Sequence, residues 1–300
     1  MINAKEAVLL AKQHKTVIPA YNIPYLPMVK PTIQAVVDEN SIAMIQVARV
    51  EWEKFGSESL EAVAEEYQKY CNPKHTLLHL DHVPVIDEDM KRVEFMPIIE
   101  RAISKNYQSV MIDGSRLDLQ ENIEATRQVA EAAHKAGIPV EAELGAVMGH
   151  ESGPITPYEE IFATKKGFTD LEEAKEMVQK SGCDWLSVAV GSIHGAVAEN
   201  LKFQKKPEAR LDVQHIKNLA EATGIPLVLH GGSGINVDYI RQGIEAGIAK
   251  INVGTEIRQA YLSVWESTGD VEAAQLAVYK KVREIIRDML HVQNTRTLLY

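Results

Sequence analysis

Cysteine is scarce in this chain, which has only Cys71 and Cys183 among its 300 residues. Two cysteines cannot form a disulfide framework, so the class of small disulfide-bonded secreted proteins is excluded. Basic residues are also in deficit, and the formal net charge is −10. That balance argues against nucleic acid as a partner, because phosphate backbones select basic faces. A small anionic substrate needs only a local patch and stays compatible with this charge.

Long apolar runs are missing as well. No stretch approaches the ~18 apolar residues of a membrane span, so no membrane contact is expected. Residues 1–6 lack the apolar core of a signal peptide, and a cytoplasmic location is predicted. The hydrophobic and charged fractions, 45% and 25%, are those of an ordinary globular protein. Because no linker or low-complexity segment interrupts the chain, we predict one domain over residues 1–300.

Short apolar runs alternate with segments of helical spacing along the whole chain. The apolar runs predict strands at residues 16–23, 43–48, 76–81, 109–114, 139–145, 185–191, 226–231 and 250–255. Helical segments follow them, including one predicted over residues 88–105 and one closed by Gly137. Strict alternation indicates a parallel sheet. Eight units of roughly 30 residues predict an α/β fold of the (β/α)8 TIM barrel type with an extra C-terminal helix.

The main alternative to the barrel is a doubly wound open sheet. That fold would need a glycine-rich dinucleotide loop after an early strand. The sequence has no such loop, and the barrel is therefore preferred.

Most of the predicted strands end in polar side chains, namely Asn22, Asp81, His82, Asp113, Glu143, His194, His230 and Asn252. Active sites of TIM barrels lie at the C-terminal ends of the strands. Acid and imidazole groups on five neighbouring strand ends would desolvate and repel one another without a cation. A metal site is therefore favoured over a solvated polar rim.

Three histidines are the predicted metal ligands. His82, His194 and His230 are far apart along the chain, so only a fold that gathers strand ends can bring them together. Three neutral imidazoles with an open position form a catalytic zinc pattern, although another divalent metal would also suit them. An open position lets the metal polarise a carbonyl. Asp113 and Glu143 either orient these histidines or supply an alternative or second metal position.

Asp81 is the predicted proton-transfer group beside this metal. Strand alternation places Asp81 and His82 on opposite faces. Both therefore reach one site only if the strand ends there and the chain turns. His79 shares the face of Asp81 and is interpreted as a packing residue.

Two glycine-bearing turns predict a phosphate pocket. Residues 231–234 (Gly-Gly-Ser-Gly) follow strand seven, and residues 252–255 (Asn-Val-Gly-Thr) end strand eight. Loops after strands seven and eight form the recurring phosphate site of this fold. Lys250, at the start of strand eight, is interpreted as structural. A metal, an acid/base group and a bound phosphate together indicate proton transfer next to a carbonyl, which serves both aldol cleavage and isomerisation.

Six ordered motifs carry a resemblance to a known family. They are His-Leu-Asp-His at 79–82, Ser-Val-Met-Ile-Asp-Gly-Ser at 109–115 with Glu-Asn-Ile at 121–123, Val-Glu-Ala-Glu-Leu-Gly at 140–145, Val-Gly-Ser-Ile-His-Gly at 190–195, Leu-His-Gly-Gly-Ser-Gly at 229–234 and Lys-Ile-Asn-Val-Gly-Thr at 250–255. Over most of its length the chain resembles the class II, zinc-dependent fructose-bisphosphate and tagatose-bisphosphate aldolases.

The resemblance implies a lyase of carbohydrate metabolism of the glycolytic type. It would split a ketose phosphate reversibly into dihydroxyacetone phosphate and an aldehyde, with zinc on the three histidines and Asp81 acting at the C4 hydroxyl. Glu151, in the segment after strand five, would move the C3 proton. The phosphate pocket, often with a monovalent cation, would use Gly195, Gly231, Ser233, Asn252, Gly254 and Thr255. A homodimer or homotetramer is also implied.

One departure from the family lies beside the substrate mouth. Residues 83–87 (Val-Pro-Val-Ile-Asp) stand where relatives usually carry a small glycine–serine turn. The resemblance therefore does not identify the part of the substrate that becomes the aldehyde. Arg258 and Arg296 are candidates for binding its far end. Two alternative functions are a sugar-phosphate isomerase or epimerase at the same metal site, and a non-catalytic sugar-phosphate-binding homologue.

Overall fold

The computed structural model of the chain describes residues 2–145, 158–192, 210–232 and 234–300. The strands in these ranges are β1 (Ile18–Asn22), β2 (Ala43–Ala48), β3 (Thr76–Pro84), β4 (Ser109–Asp113), β5 (Val140–Leu144), β6 (Trp185–Val188), β7 (Leu227–Leu229) and β8 (Ile248–Val253). They pair in parallel in sequence order, and β8 pairs back to β1, so the sheet is closed. The predicted TIM barrel is confirmed, and the open-sheet alternative is wrong.

Helices alternate with the strands and surround the barrel. The α-helices in the described ranges are α1 (Ala4–Gln13), α2 (Val29–Asp38), α3 (Arg49–Lys54), α4 (Leu60–Tyr70), α5 (Phe95–Ser104), α6 (Leu119–Lys135), α7 (Tyr158–Thr164), α8 (Leu171–Ser181), α9 (Val213–Thr223), α10 (Val237–Ala246), α11 (Thr255–Thr268), α12 (Val271–Glu284) and α13 (Thr295–Leu299). Across these ranges, no helix combines the length and the apolar character that crossing a membrane requires.

Aspartate side chains begin several of the outer helices. Asp118, Asp170, Asp212 and Asp270 each accept hydrogen bonds from backbone N–H groups in the first turn of α6, α8, α9 and α12. These caps satisfy donors that have no partner within the helix. At the other end of α6, Gly137 has a φ of +77°, as expected for a glycine that closes a helix.

Two hydrophobic cores hold the barrel together. The larger lies between the outer faces of the strands and the surrounding helices. The smaller lies inside the barrel, and we call it the barrel floor. Its main members are Ile18, Met44, Leu77, Trp185 and Val228 from the strands with Ala4, Ala7, Val8 and Ala11 from α1. The helix α1 was not predicted from the sequence, although its apolar residues recur at helical spacing and the side chain of Asn3 just before it accepts a hydrogen bond from the Glu6 backbone N–H.

The residues of the barrel floor show which residues nearer the C-terminal ends of the same strands point into the barrel. Alternate residues of a strand share a side, so His79 and Asp81 follow Leu77 into the interior. By the same rule His230 follows Val228, and Asn22 follows Ile18 at twice the interval. The strand ends above the floor therefore carry polar groups into one enclosed space.

Two predicted boundaries are wrong around β3. The strand runs to Pro84 and does not end at residue 81. The helix predicted over residues 88–105 begins only at Phe95. Asp87 explains the delay, because its carboxylate accepts hydrogen bonds from the backbone N–H groups of Asp89 and Lys91 and stabilises a turn there.

Candidate metal and acid–base site

Asp81 and His82 reach the same site although they are consecutive residues of β3. The pairing of β3 with β4 slips between Leu80 and Val83, where β3 carries one residue more than its partner strand. His82 there has a φ of +28°, which is uncommon for a residue other than glycine. Such a bulge re-aims a side chain. The turn that sequence analysis required is thus provided within a continuing strand.

Asp113 and Glu143 flank the imidazoles of His82 and His230. His82 Nδ1 lies 3.1 Å from Asp113 Oδ2 and 3.8 Å from Glu143 Oε2. His230 Nδ1 lies 3.2 Å from the same Glu143 oxygen. Four of the predicted site residues, from β3, β4, β5 and the end of β7, therefore share one small volume.

The chemistry of this donor set fits a divalent metal. Ligand atoms of Asp81, His82 and His230 lie within 4.8 Å of one another, and so do those of His82, Asp113 and Glu143. Imidazole nitrogen and carboxylate oxygen are both zinc ligands. Burial by itself would lower the pKa of His82, yet the charges of Asp81, Glu143 and Asp113 raise it to about 10. A position where carboxylates hold a proton on a half-buried imidazole also favours a metal cation.

Asp81 is oriented by two amide side chains. Asn22 Nδ2 donates to Asp81 Oδ2 and Asn252 Nδ2 donates to Asp81 Oδ1, each at 2.9 Å. Burial favours the neutral acid, but the positive charges of His82 and Lys250 outweigh it and lower the pKa of Asp81. The carboxylate is therefore held ionised, with both oxygens fixed, beside the histidines.

Glu51 stands behind Asn22 and was not identified from the sequence. Its Oε2 accepts a hydrogen bond from the Ala48 backbone N–H at 2.8 Å and lies 3.5 Å from Asn22 Nδ2. Burial raises the pKa of Glu51 to about 8, and the nearby charge of Asp81 acts in the same direction. Glu51 lies in the first turn of α3, a helix that was not predicted from the sequence, and its bond to the N–H of Ala48 three residues earlier caps that turn.

Glu141 is a second residue that was not identified from the sequence, and it lies beside His230 and Lys250. Glu141 Oε1 lies 2.8 Å from His230 Nε2, and Glu141 Oε2 lies 2.9 Å from Lys250 Nζ. His79 Nε2 is 3.6 Å from the same Glu141 oxygen. Burial and the charge of Lys250 lower the pKa of His79 to about 3, so its ring is neutral. The signal was present in the sequence, because Glu141 shares a strand face with Glu143 and Lys250 shares one with Asn252.

The predicted phosphate pocket is described only in part. Gly231 follows His230 with a φ of +68°. A Cβ atom on Gly232 would lie 2.7 Å from Ile251 Cγ2 and 3.0 Å from the Asn252 carbonyl oxygen, so the turn after β7 approaches β8 closely. Gly254 immediately precedes α11, which begins at Thr255. Backbone N–H groups at a helix N-terminus suit an anion.

Several predicted residues lie outside the described ranges. These are Glu151, His194, Gly195 and Ser233. Of the two candidate arginines, Arg258 is 8% exposed and stacks over the Phe55 ring at 4.9 Å. Arg296 donates its backbone N–H to the Asn40 carbonyl, before β2, and so lies at the floor end of the barrel. Arg296 is therefore not positioned to bind a substrate at the strand ends.

Comparison with known proteins connects this geometry to a family. The model described as "Fructose-bisphosphate aldolase class-II" matches residues 2–296. The fructose-bisphosphate aldolase of Staphylococcus epidermidis is 30% identical over 301 residues, which cover 100% of this chain and 91% of that protein. The probable fructose-bisphosphate aldolase of Bacillus subtilis is 32% identical over 261 residues, covering 85% of this chain and 82% of that protein.

Two solved aldolase structures also resemble this chain. The YdjI aldolase of Escherichia coli K12 superposes with a TM-score of 0.76 at 27% identity, covering 99% of this chain and 100% of that chain. A putative fructose-1,6-bisphosphate aldolase of Coccidioides immitis has a TM-score of 0.78 at 26% identity, with coverages of 99% and 98%. The chain therefore belongs to the class II fructose-bisphosphate aldolase family.

Proposed function

We propose that this class II aldolase, a metal-dependent carbon–carbon lyase, cleaves a ketose phosphate reversibly into dihydroxyacetone phosphate and an aldehyde. The observation that carries the proposal is the placing of Asp81 beside His82 and His230, with Asp113 and Glu143 around them. Family membership does not favour the isomerase, epimerase or non-catalytic alternatives. The homodimer or homotetramer stays a prediction.

His82, His194 and His230 are the proposed ligands of zinc, and Asp113 and Glu143 are the proposed alternative ligands. When bound there, a divalent ion would act as a Lewis acid on the carbonyl of the ketose. The close approach of imidazoles and carboxylates from β3, β4, β5 and β7 supports this assignment for the described ligands. A monovalent cation near the phosphate is proposed from the family resemblance alone.

Asp81 is the proposed acid/base. In the cleavage direction it accepts the proton of the C4 hydroxyl as the C3–C4 bond breaks and the aldehyde carbonyl forms. The electron pair of that bond stays on the three-carbon fragment, which then takes up a proton at C3. Glu151 is the proposed donor of that proton. The two amides that hold Asp81 support its role, because a general base must be fixed within reach of the proton it accepts.

The phosphate of the substrate is proposed to bind between the turn after β7 and the start of α11. Gly195, Gly231, Ser233, Asn252, Gly254 and Thr255 are the proposed contacts. Gly234 N–H donates to Glu256 Oε1 at 3.2 Å, so the β7 turn and the first turn of α11 are already joined. That contact supports a pocket made from both loops.

The decisive experiment is a screen of ketose monophosphates and bisphosphates, including fructose and tagatose 1,6-bisphosphates. Release of triose phosphate is followed by coupled reduction of dihydroxyacetone phosphate, and bound metal is measured on the same sample. We expect triose-phosphate release with at least one substrate and stoichiometric divalent metal. An isomerase would convert the ketose without releasing triose phosphate, and that result would overturn the proposal.

A further inference from the structure

Lys250 is a fully buried cation in the middle of the barrel. Its side chain is 0% exposed, and its Nζ lies 2.9 Å from Glu141 Oε2 and 2.7 Å from Asn252 Oδ1. A buried ammonium is costly unless its donors are paired. Its two partners, Glu141 and Asn252, lie on β5 and β8, which both carry residues of the candidate site. The buried charge is therefore in direct contact with the strands that form the site.

Each partner of Lys250 also contacts one residue of the candidate site. Glu141 Oε1 lies 2.8 Å from His230 Nε2, and Asn252 Nδ2 donates a hydrogen bond to Asp81 Oδ1 at 2.9 Å. One chain of contacts therefore runs from His230 through Glu141, Lys250 and Asn252 to Asp81. No other lysine in the described part of the chain is fully buried.

The donor and acceptor roles along this chain are determined by Lys250. An ammonium group only donates, so the Asn252 oxygen must face Lys250 and the amide nitrogen must face Asp81. Lys250 also balances the charge of Glu141, which can then accept the Nε2 proton of His230. With Nε2 protonated, His230 presents Nδ1 on the side of Glu143 and His82.

The register of the sheet shows how Lys250 reaches this position. Pairing between β7 and β8 slips so that Leu227 faces Ile248 and Val228 faces Lys250. Ala249 belongs to the barrel floor, and the next residue, Lys250, also points inside. A bulge thus brings two consecutive residues of β8 into the interior, as one does for Asp81 and His82 in β3.

We propose that Lys250 is a positioning residue that sets both the ligand geometry of His230, through Glu141, and the orientation of Asp81, through Asn252. The inference rests on the proposed function, since it assumes that His230 binds metal and that Asp81 transfers the proton. It assigns to a single charge the alignment of two groups that must act on the same substrate.

The test is a pair of double-mutant cycles on the full-length enzyme. Zinc affinity is measured by competition with a chromophoric chelator, and kcat and KM are measured at saturating zinc. We expect Lys250→Met to weaken zinc binding by about 10–100-fold, the usual effect of removing an outer partner of a ligand. We also expect kcat to fall by at least ~10-fold while KM changes less than ~3-fold, because misaligned groups slow the chemical step.

The two cycles separate the effect of Lys250 on His230, through Glu141, from its effect on Asp81, through Asn252. Loss of zinc affinity should be strongly non-additive between Lys250→Met and Glu141→Gln, and loss of kcat should be non-additive between Lys250→Met and Asn252→Ala. If Lys250→Met does not fold, Lys250→Met/Glu141→Gln, which removes both buried charges together, is compared with Glu141→Gln alone. Zinc affinity should then be similar in the two variants, and kcat should be lower in the double variant. Lys12→Met is the matched control, because Lys12 donates to the Gly224 and Ile225 carbonyls and lies on α1, away from the site.

The outcomes distinguish this inference from the proposed function. A wild-type enzyme that releases no triose phosphate from any ketose phosphate counts against the proposed function. An active wild-type enzyme whose Lys250→Met variant keeps both zinc affinity and kcat overturns the inference and leaves the function intact. Additive effects in both cycles would also overturn it, since Lys250 would then act independently of Glu141 and Asn252.

Discussion

The imidazole rings of His82 and His230 lie with their centroids 4.5 Å apart and their planes inclined by 64°, although they come from the ends of β3 and β7. No local sequence motif joins them. Glu143 stands beside both rings, and Asp113 stands beside one. This crowding of imidazole and carboxylate in a buried space is the basis for the predictions that follow.

Removing the metal should abolish turnover. Dialysis against a strong chelator is expected to reduce retro-aldol activity to background, and added zinc should restore it. The melting temperature should fall as well, because a ligand that binds only the native state stabilises it. Activity that survives complete removal of metal, verified by elemental analysis, would contradict the proposed role of the histidines.

Replacing His230 should remove the metal itself. We expect His230→Ala to lower zinc affinity by more than about 100-fold, since loss of a ligand costs more than loss of an outer partner. His14→Ala, at an exposed position after α1, is the matched control and should keep full affinity. Full zinc occupancy in His230→Ala, measured by equilibrium competition, would exclude His230 as a ligand.

Replacing Asp81 should separate chemistry from metal binding. Asp81→Asn keeps the size of the side chain but cannot accept the C4 hydroxyl proton, so kcat should fall by about 10²–10⁴-fold. Zinc content should stay near the wild-type level. A kcat within threefold of wild type, determined with the same ketose phosphate, would assign the proton transfer to another residue.

Glu51 should make stability fall as pH rises. Its pKa is raised by burial from 4.5 to about 8, so between these values the native state holds a proton that the unfolded state has lost. Unfolding then becomes easier with increasing pH across this window and levels off above it. Glu51→Gln should flatten this part of the profile in denaturant titrations at pH 5, 6.5 and 8. Parallel profiles for the two proteins would show that Glu51 is ionised throughout.

Gly232 should be essential for the turn after β7. Gly232→Ala would place a Cβ atom 3.0 Å from the Asn252 carbonyl oxygen and closer still to Ile251, so the turn must move away from β8. We expect KM for the ketose phosphate to rise by about tenfold or more, the equivalent of losing roughly one charge-assisted hydrogen bond to the phosphate. An unchanged KM in a well-folded variant would place the phosphate elsewhere.

The barrel and much of the candidate site could be predicted from the sequence because both follow simple periodicities. Apolar runs such as residues 76–78 mark buried strands, and polar residues at their ends mark one rim of a barrel. His82, His230, Asp113 and Glu143 were selected on this basis, and the structure brings these four together. The prediction needed only the order of elements, not their detailed register.

Features that depend on register could not be predicted. The bulge at His82 exists only relative to β4, and the bulge at Ala249 exists only relative to β7. Glu141 and Lys250 are charged residues within strands, where charge normally indicates exposure. Their mutual pairing in the interior depends on strands that are distant in sequence, and no local pattern encodes it.

The bulge in β3 has a consequence for how this site can vary. A regular strand offers neighbouring residues to opposite sides, so two adjacent side chains cannot serve the same cavity. The extra residue between Leu80 and Val83 removes that restriction once and lets the proposed proton carrier, Asp81, and the proposed metal ligand, His82, be adjacent in the chain. Deleting a neighbouring residue of β3, so that the strand pairs with β4 without the bulge, would therefore turn either Asp81 or His82 away from the cavity, even though both side chains would still be present in the chain.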